Sequence, residues 1–272
     1  LWQGLGYYSR ARNLQAAARQ IMEEHGGSFP SDYQAVRALK GVGDYTAGAI
    51  CSIAFGQPVP AVDGNVLRVV TRVTGDEGDI TTPAMKAKVA AHLAPIIPLD
   101  DPGAFTQAMM ELGATVCLPN GAPLCDTCPA RSFCTARLEN RVDMLPVKTK
   151  KKARRVEERT VWLIFHEGRV ALRRRPAKGL LAGLWEYPNE LSPASLPLEW
   201  GITPLSNEYG CQAKHIFSHI EWHMTAQIVE AASPELPEGW VWADRQALAQ
   251  DYAVPNAFQA FRDAVDSRLG YF

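Results

Sequence analysis

The sequence predicts a multidomain protein: an all-α part over residues 1–140, a linker at 141–158, and an α+β part over 159–272. Three observations predict it. The chain has 272 residues, more than one hydrophobic core comfortably serves. Apolar residues recur at helical spacing up to about residue 140, and the period switches to that of strands after Arg159. The charge is also split: residues 1–155 carry a net +4 and residues 156–272 a net −5, within a total of −1. The basic half is therefore the candidate for a polyanion partner. A composition of 47% hydrophobic and 21% charged residues is ordinary globular usage and excludes a disordered, collagenous or coiled-coil chain. No apolar run approaches the ~20 residues a bilayer crossing needs, so no membrane partner is expected. The opening Leu1-Trp2-Gln3-Gly4-Leu5-Gly6-Tyr7-Tyr8 has no charged or apolar leader pattern and reads like the interior of a folded domain, with the true N-terminus expected upstream.

The elements follow in order. Arg10–His25 is Ala- and Arg-rich with helical periodicity and stops at Gly26-Gly27. Asp32 is placed to cap a short helix running to Lys40. Gly41-Val42-Gly43 then makes a tight hairpin, with Asp44 as N-cap of a helix from Tyr45 to Phe55. Gly64-Asn65 precedes a helix over Val66–Val73, Pro83 opens another, and Asp101–Val116 is a further one. The run Pro146 to Arg155 is charged, lacks a face to bury and reads as a solvated tether. Thr160–Phe165 and Val170–Arg173 flank His166-Glu167-Gly168-Arg169, a β-hairpin signature with His166 facing solvent. Strands are expected at Ile220–Ala231 and Val241–Ala243, and an amphipathic helix at Ala257–Leu269.

Four of the six cysteines, Cys117, Cys125, Cys128 and Cys134, fall within eighteen residues. Four thiolates this close, in a chain that otherwise avoids Cys, are ligands for zinc or an iron–sulfur cluster. Zinc ribbons pair two short Cys-x2-Cys knuckles, and only Cys125–Cys128 is one. The longer remaining spacings favour the larger cube of a 4Fe-4S cluster. Its role need not be redox: a loop presenting Arg131 and Arg137 to phosphate is as good an account. Cys51, in an apolar helical run, reads as core, and Cys211 carries no signal. His215, His219 and His223 have strand-like spacing with no Cys or carboxylate partner evident, and read as structural or as a polar loop rather than as a metal site.

Leu39-Lys40-Gly41-Val42-Gly43-Asp44-Tyr45-Thr46-Ala47 is a helix–hairpin–helix pattern, whose glycines let backbone N–H groups face a DNA phosphate at a helix N-terminus. In Val62-Asp63-Gly64-Asn65-Val66 the plain account of Asp63 is an N-cap; an ionised Asp at a helix N-terminus also suits stabilising a cationic sugar.

These motifs in this order resemble the helix–hairpin–helix DNA glycosylases with an iron–sulfur loop. Gly4-Leu5-Gly6-Tyr7-Tyr8-Ser9-Arg10-Ala11-Arg12-Asn13-Leu14 narrows the resemblance to adenine DNA glycosylases of the MutY type. The second half joins in: Gly179 to Pro188 is similar to that family's Nudix-like domain, and His215-Ile216-Phe217-Ser218-His219 to its lesion-probing loop. The resemblance implies an all-α helix–hairpin–helix glycosylase domain with an iron–sulfur cluster loop at 117–134, followed by an α+β Nudix-like recognition domain. It implies base-excision repair by a monofunctional enzyme. The substrate would be double-stranded DNA with adenine opposite 8-oxoguanine or guanine, and the protein a monomer in a bacterial-type cytoplasm, associated with the nucleoid. Asp63 would face the anomeric carbon, with Tyr45 and Asn65 orienting it. Gly41 and Gly43 would seat a phosphate, Tyr7 would wedge beside the lesion, and Ser218 with His219 would contact it. Cys117, Cys125, Cys128 and Cys134 would hold the 4Fe-4S cluster. Two departures are small: an extra residue between Cys117 and Cys125, and Leu67 where some members have Lys. A third is larger, since the family's catalytic Glu belongs upstream of Leu1, which keeps a non-catalytic DNA-binding fragment in contention. An endonuclease III-type lyase is disfavoured because Tyr45 stands at the nucleophile position and no Lys lies between Lys40 and Lys86. A Nudix pyrophosphatase is disfavoured because Leu191–Pro197 holds no acidic metal-binding helix.

Overall fold

The structure, a computed structural model, describes residues 2, 6–149, 153–196 and 198–269. The chain divides into two compact units, Ser9–Lys151 and Lys152–Phe272, the latter grouped with Leu1–Tyr8. Among the described residues no helix is long and apolar enough to cross a membrane.

The first unit is helical. α1 (Ser9–Glu24) begins only after Gly6 and Tyr7, both at positive φ. α2 (Tyr33–Ala38) is capped by Asp32, whose carboxylate accepts from Ala35 N at 3.0 Å. α3 (Asp44–Phe55) starts one residue earlier than the sequence suggests: its N-cap is Gly43, whose backbone is extended, while Asp44 is already helical and pairs with Arg37. α4 (Gly64–Thr74) and α5 (Pro83–Leu93) share a core of Val66, Leu67, Val70, Met85, Val89 and Leu93, to which Val62, Phe105 and Met110 add. The helix expected over Asp101–Val116 is divided. α6 (Pro102–Glu111) gives way to one π-helical turn at Leu112–Val116, in which the Cys117 N–H reaches back to Leu112 O. α7 (Thr135–Leu138) packs on α4. Cys51 is fully buried with Val36 and Ala47, as a small core residue should be.

Part of the linker expected at 141–158 is docked, whereas Lys150, Lys151 and Lys152 lie outside the described residues. Leu145 is buried, Val147 O accepts from Ile80 N at 3.1 Å, and the Thr149 hydroxyl bonds Asp79. At its other end residues 155–158 are already strand. One buried apolar side chain and two hydrogen bonds fasten the described part of a segment whose charge had suggested solvation.

The second unit is built on one mixed sheet. Its strands are β1 (Arg155–His166), β2 (Arg169–Arg174), β3 (Trp185–Glu186), β4 (Asn189–Leu191), β5 (Pro204–Ile216), β6 (Ile220–Ala231) and β7 (Trp240–Ala243). The order is β3-β2-β1-β6-β5, with β4 paired to β1 and β7 to β2; β1 and β6 run parallel and the other pairs antiparallel. β1 is central because its apolar run is continuous. Val161, Leu163 and Phe165 face one core with Trp222, Phe258 and Phe261, whereas Trp162 and Ile164 face another with Val229 and Ala231. The β1–β2 hairpin is the expected one, turning at Glu167 and Gly168 with positive φ. His166 is not solvent-facing: it bonds Ala231 O at 3.0 Å and packs on Trp242. α8 (Arg245–Gln250) follows β7. The expected helix at Ala257–Leu269 is broken into a 3-10 stretch, Asn256–Phe261, and α9 (Arg262–Asp266), because Phe258 and Phe261 are buried at a spacing of three, which suits the tighter helix.

Candidate functional site

The helical unit gathers its chemistry at the N-terminus of α4. Asp63 is the N-cap: Oδ1 accepts from Val66 N at 2.8 Å. Its other oxygen, Oδ2, accepts from Asn65 Nδ2 at 3.1 Å. Asn65 Oδ1 in turn accepts from Arg68 Nη2 at 2.9 Å, and the same guanidinium donates to Gly113 O at 2.5 Å and to Cys117 O at 2.7 Å. Arg68 is buried, and burial, the largest influence, pushes its pKa down. The carboxylate is therefore oriented by a relay that starts in the cysteine-bearing segment. Capping alone accounts for one oxygen; the second oxygen is aligned by Asn65. Tyr45 is brought to the neighbourhood but not to the carboxylate. It is 41% exposed, and its hydroxyl lies 3.8 Å from the Met110 sulfur, which packs on the Val62–Val66 core.

The hairpin ahead of α3 is held from below by α1. Gly41 has φ +80° and no room for a side chain, since a Cβ there would lie 2.5 Å from the Asn13 Cβ. Gln20 accepts from Lys40 N at 3.1 Å. Gly43 differs from the expectation: its backbone is extended, which any residue adopts, and a Cβ would meet nothing within 4 Å. What it contributes is a missing side chain, because no side-chain cap satisfies the first N–H groups of α3. Those donors are left to an outside acceptor, and the helix dipole favours an anion.

Cys117, Cys125, Cys128 and Cys134 line one cavity with Arg72, Ala130, Arg131 and Arg137. Burial and then the three other thiols raise the pKa of Cys125, so the four sulfurs sense one another. Arg72 Nη1 donates to Cys117 Sγ at 3.3 Å. Among the described residues, no three His, Cys, Asp or Glu side chains are drawn together as one metal ion requires. Four thiol donors line this one cavity, a donor set that zinc or an iron–sulfur cluster takes. Arg131 and Arg137 are tied to the same loop: Arg131 donates to Asp126 O, and Arg137 pairs with the Asp126 carboxylate at 3.6 Å.

In the sheet unit, Phe217-Ser218-His219 is the turn between β5 and β6, carried at the end of two long paired strands. Its backbone is tied by Arg155 N to His219 O and Arg154 Nε to Phe217 O, at 3.2 and 3.1 Å. Phe217 is clamped edge-on between His215 and Trp222. The histidines have more company than the sequence suggests. His223 bonds Glu158 at 3.0 Å and Glu221 at 2.7 Å, because the parallel neighbour β1 supplies a carboxylate that sequence spacing does not show; the Glu221 bond is the main reason its pKa is raised. Burial pushes His215 down. Tyr7 is exposed and in the left-handed region. Where a Nudix hydrolase needs an acidic helix, the described residues between β4 and β5 form only a 3-10 turn at Leu198–Trp200.

Arg68 and Arg72 were not singled out in the sequence. The signal was present: Asn65, Arg68 and Arg72 fall at i, i+3 and i+7, one face of an otherwise apolar helix.

The HhH-GPD superfamily of base excision DNA repair proteins matches residues 1–95, and the NUDIX domain matches residues 160–264. The chain is 34% identical to the adenine DNA glycosylase of Homo sapiens over 96% of its own length and 60% of that protein's. It thus spans less than two thirds of the human relative. A non-covalent endonuclease III–DNA complex is 29% identical, covering 48% of this chain and 58% of the other with a TM-score of 0.41. The adenine DNA glycosylase of Schizosaccharomyces pombe is 30% identical across 98% of this chain and 70% of its own length. With that extent of match, and the repair and NUDIX domains in sequence order, this chain belongs to the adenine DNA glycosylase family.

Proposed function

We propose that this chain excises adenine mispaired with 8-oxoguanine or guanine in double-stranded DNA, by hydrolysis of the N-glycosidic bond. The observation that carries this is the Asp63–Asn65–Arg68 relay at the start of α4. Cleavage sends the bonding electron pair out with the adenine, which takes up a proton, and leaves positive charge on the deoxyribose; water then adds to the anomeric carbon and gives up a proton, so that the proton gained by adenine is balanced. An extruded nucleotide brought to α4 would present that sugar to Asp63, whose fixed carboxylate stabilises the charge as it develops. Asn65 holds the carboxylate in place, and Tyr45 forms part of the wall of the adenine pocket. The uncapped N–H groups behind Gly43, with the turn at Gly41, hold a backbone phosphate. Ser218 and His219 read the opposite base, with Tyr7 wedged beside it. A single-turnover assay on a duplex with one adenine opposite 8-oxoguanine tests this, in protein that retains any residues preceding Leu1. Free adenine should appear and the strand should stay intact until base is added. Strand cleavage without base would favour a lyase.

The cysteine cavity supports a 4Fe-4S cluster on Cys117, Cys125, Cys128 and Cys134. Such a group supplies a rigid, anionic staple for the 117–134 loop. The purified protein is expected to be brown, with about four irons per chain; a colourless protein with one zinc would exclude the cluster.

Ser218→Ala with His219→Ala should reduce the preference for adenine opposite 8-oxoguanine over adenine opposite guanine by about tenfold, the loss of one or two base-edge hydrogen bonds. Affinity for undamaged duplex should hold, since phosphate contacts supply it. Equal losses on both mispairs would place the determinant elsewhere.

A further inference from the structure

Arg72 is nearly fully buried in the last turn of α4, and its guanidinium faces two ways. Nη1 donates to Cys117 Sγ at 3.3 Å and to Leu118 O at 3.0 Å. Nε donates to Leu145 O at 2.8 Å, and that carbonyl belongs to the segment leading out of the helical unit. Cys134 Sγ, as a thiol, donates to the backbone Arg72 O at 3.4 Å. Beyond Leu145 the segment is held by Val147 O on Ile80 N and by the Thr149 hydroxyl on Asp79.

A buried guanidinium needs a counter-charge, and the structure shows no carboxylate paired with Arg72 among the described residues. The acceptors on its cysteine side are sulfur and carbonyl. Neutral thiols would leave the charge uncompensated. Thiolates held on a metal cluster would compensate it and lock the planar fork, and with it the direction of Nε.

We propose that Arg72 is the joint through which occupancy of the four-cysteine cavity fixes residues 142–149 against the helical unit. The inference rests on the cluster assignment above. Loading the cavity anchors Arg72, and Arg72 anchors Leu145. When the cavity is emptied, the guanidinium turns toward water, Leu145 O loses its donor, and the segment is held only at Val147 and Thr149. The order of the connection to the second unit is then set by the metal centre, 28 residues upstream at Cys117.

Trypsin reads this directly, because the Lys148–Thr149 bond sits between the two remaining anchors and must leave its docked position to enter a protease. The full chain is digested briefly in three states: cluster-loaded, stripped of iron, and rebuilt with iron and sulfide. Fragments ending at Lys148 are compared with fragments ending at Lys86 and Lys88 in α5. Stripping should speed cleavage after Lys148 by about tenfold, leave the α5 bonds unchanged, and reverse on rebuilding. Arg72→Lys keeps a cation beside the sulfurs but cannot serve Cys117 and Leu145 together; it should bind iron and still be cut fast after Lys148. Equal rates after Lys148 in loaded and stripped protein would overturn the inference, as would Lys148 and α5 sites quickening together. An iron-loaded Arg72→Lys cut at the parental rate would overturn it too. A chain that takes up no iron at all would sink the cluster assignment, and this inference with it.

Discussion

Asp63→Asn should lower adenine excision by roughly 10²–10³-fold or more while duplex affinity holds. The substitution removes the charge while keeping the helix cap. Asn caps a helix about as well as Asp, so the Val66 N–H keeps its acceptor and α4 keeps its start. What changes is the second oxygen. It becomes an NH2 facing the Nδ2 of Asn65, donor against donor. Asn65 cannot relieve this by turning over, because its other end would then present NH2 to Arg68 Nη2. The amide therefore loses both the negative charge and its alignment. Phosphate contacts at the hairpin use neither, and removing a carboxylate near DNA also removes a repulsion. Single-turnover excision and equilibrium binding on one duplex, containing adenine opposite 8-oxoguanine, separate the two effects. Near-parental excision would remove Asp63 from the chemistry. Parallel loss of excision and binding would make it a structural cap only.

Why Asp63 was legible and its supports were not is a matter of sequence distance. A cap acts over three residues, so Asp63 and Asp32 announce themselves locally. The bond from Arg68 to Cys117 spans 49 residues, and nothing in Val66–Val73 says which face meets the cysteine segment. The cysteines themselves were legible because their grouping has no other economical explanation. In the second unit, β1 and β6 declared themselves by apolar content. β5 did not: Ser206-Asn207-Glu208-Tyr209 lies mostly exposed at the sheet edge and gets its strand form from pairing with β6 rather than from its own pattern. The same blindness to neighbours hid Glu158 beside His223 and the docking of Leu145. The hairpin glycines were found by pattern, but pattern treated them alike, and the structure separates Gly41, which the backbone requires, from Gly43, which it does not.

That distinction extends to a third glycine, where the effect on the fold should be largest. Gly48 is buried in the middle of α3 at its contact with the segment 60–61. A Cβ at Gly48 would lie 2.9 Å from the Pro60 carbonyl carbon, closer still to its oxygen, and 3.1 Å from the Ala61 Cα. All three are backbone atoms, so no side chain can rotate away to make room. Ala is the better helix former, and by propensity alone Gly48→Ala would stabilise α3 by up to about 1 kcal/mol. Overpacking should win, with a net loss of about 3 kcal/mol, seen as a fall of roughly 10 °C in the melting temperature of the helical unit. The function should suffer beyond the stability. Pro60 and Ala61 run directly into Val62 and Asp63, so a backbone pushed off α3 carries the carboxylate with it, and a displacement near 1 Å costs about 10²-fold in rate. Gly43→Ala is the matched control, since its methyl group enters open space and should leave the stability within about 0.5 kcal/mol of parental. Thermal unfolding of the two variants side by side, followed by excision measured well below the lower melting temperature, decides the matter. If Gly48→Ala melts with the parent, then α3 and the segment bearing Asp63 do not approach as closely as drawn. If it melts low but excises normally, the position of Asp63 does not depend on that contact.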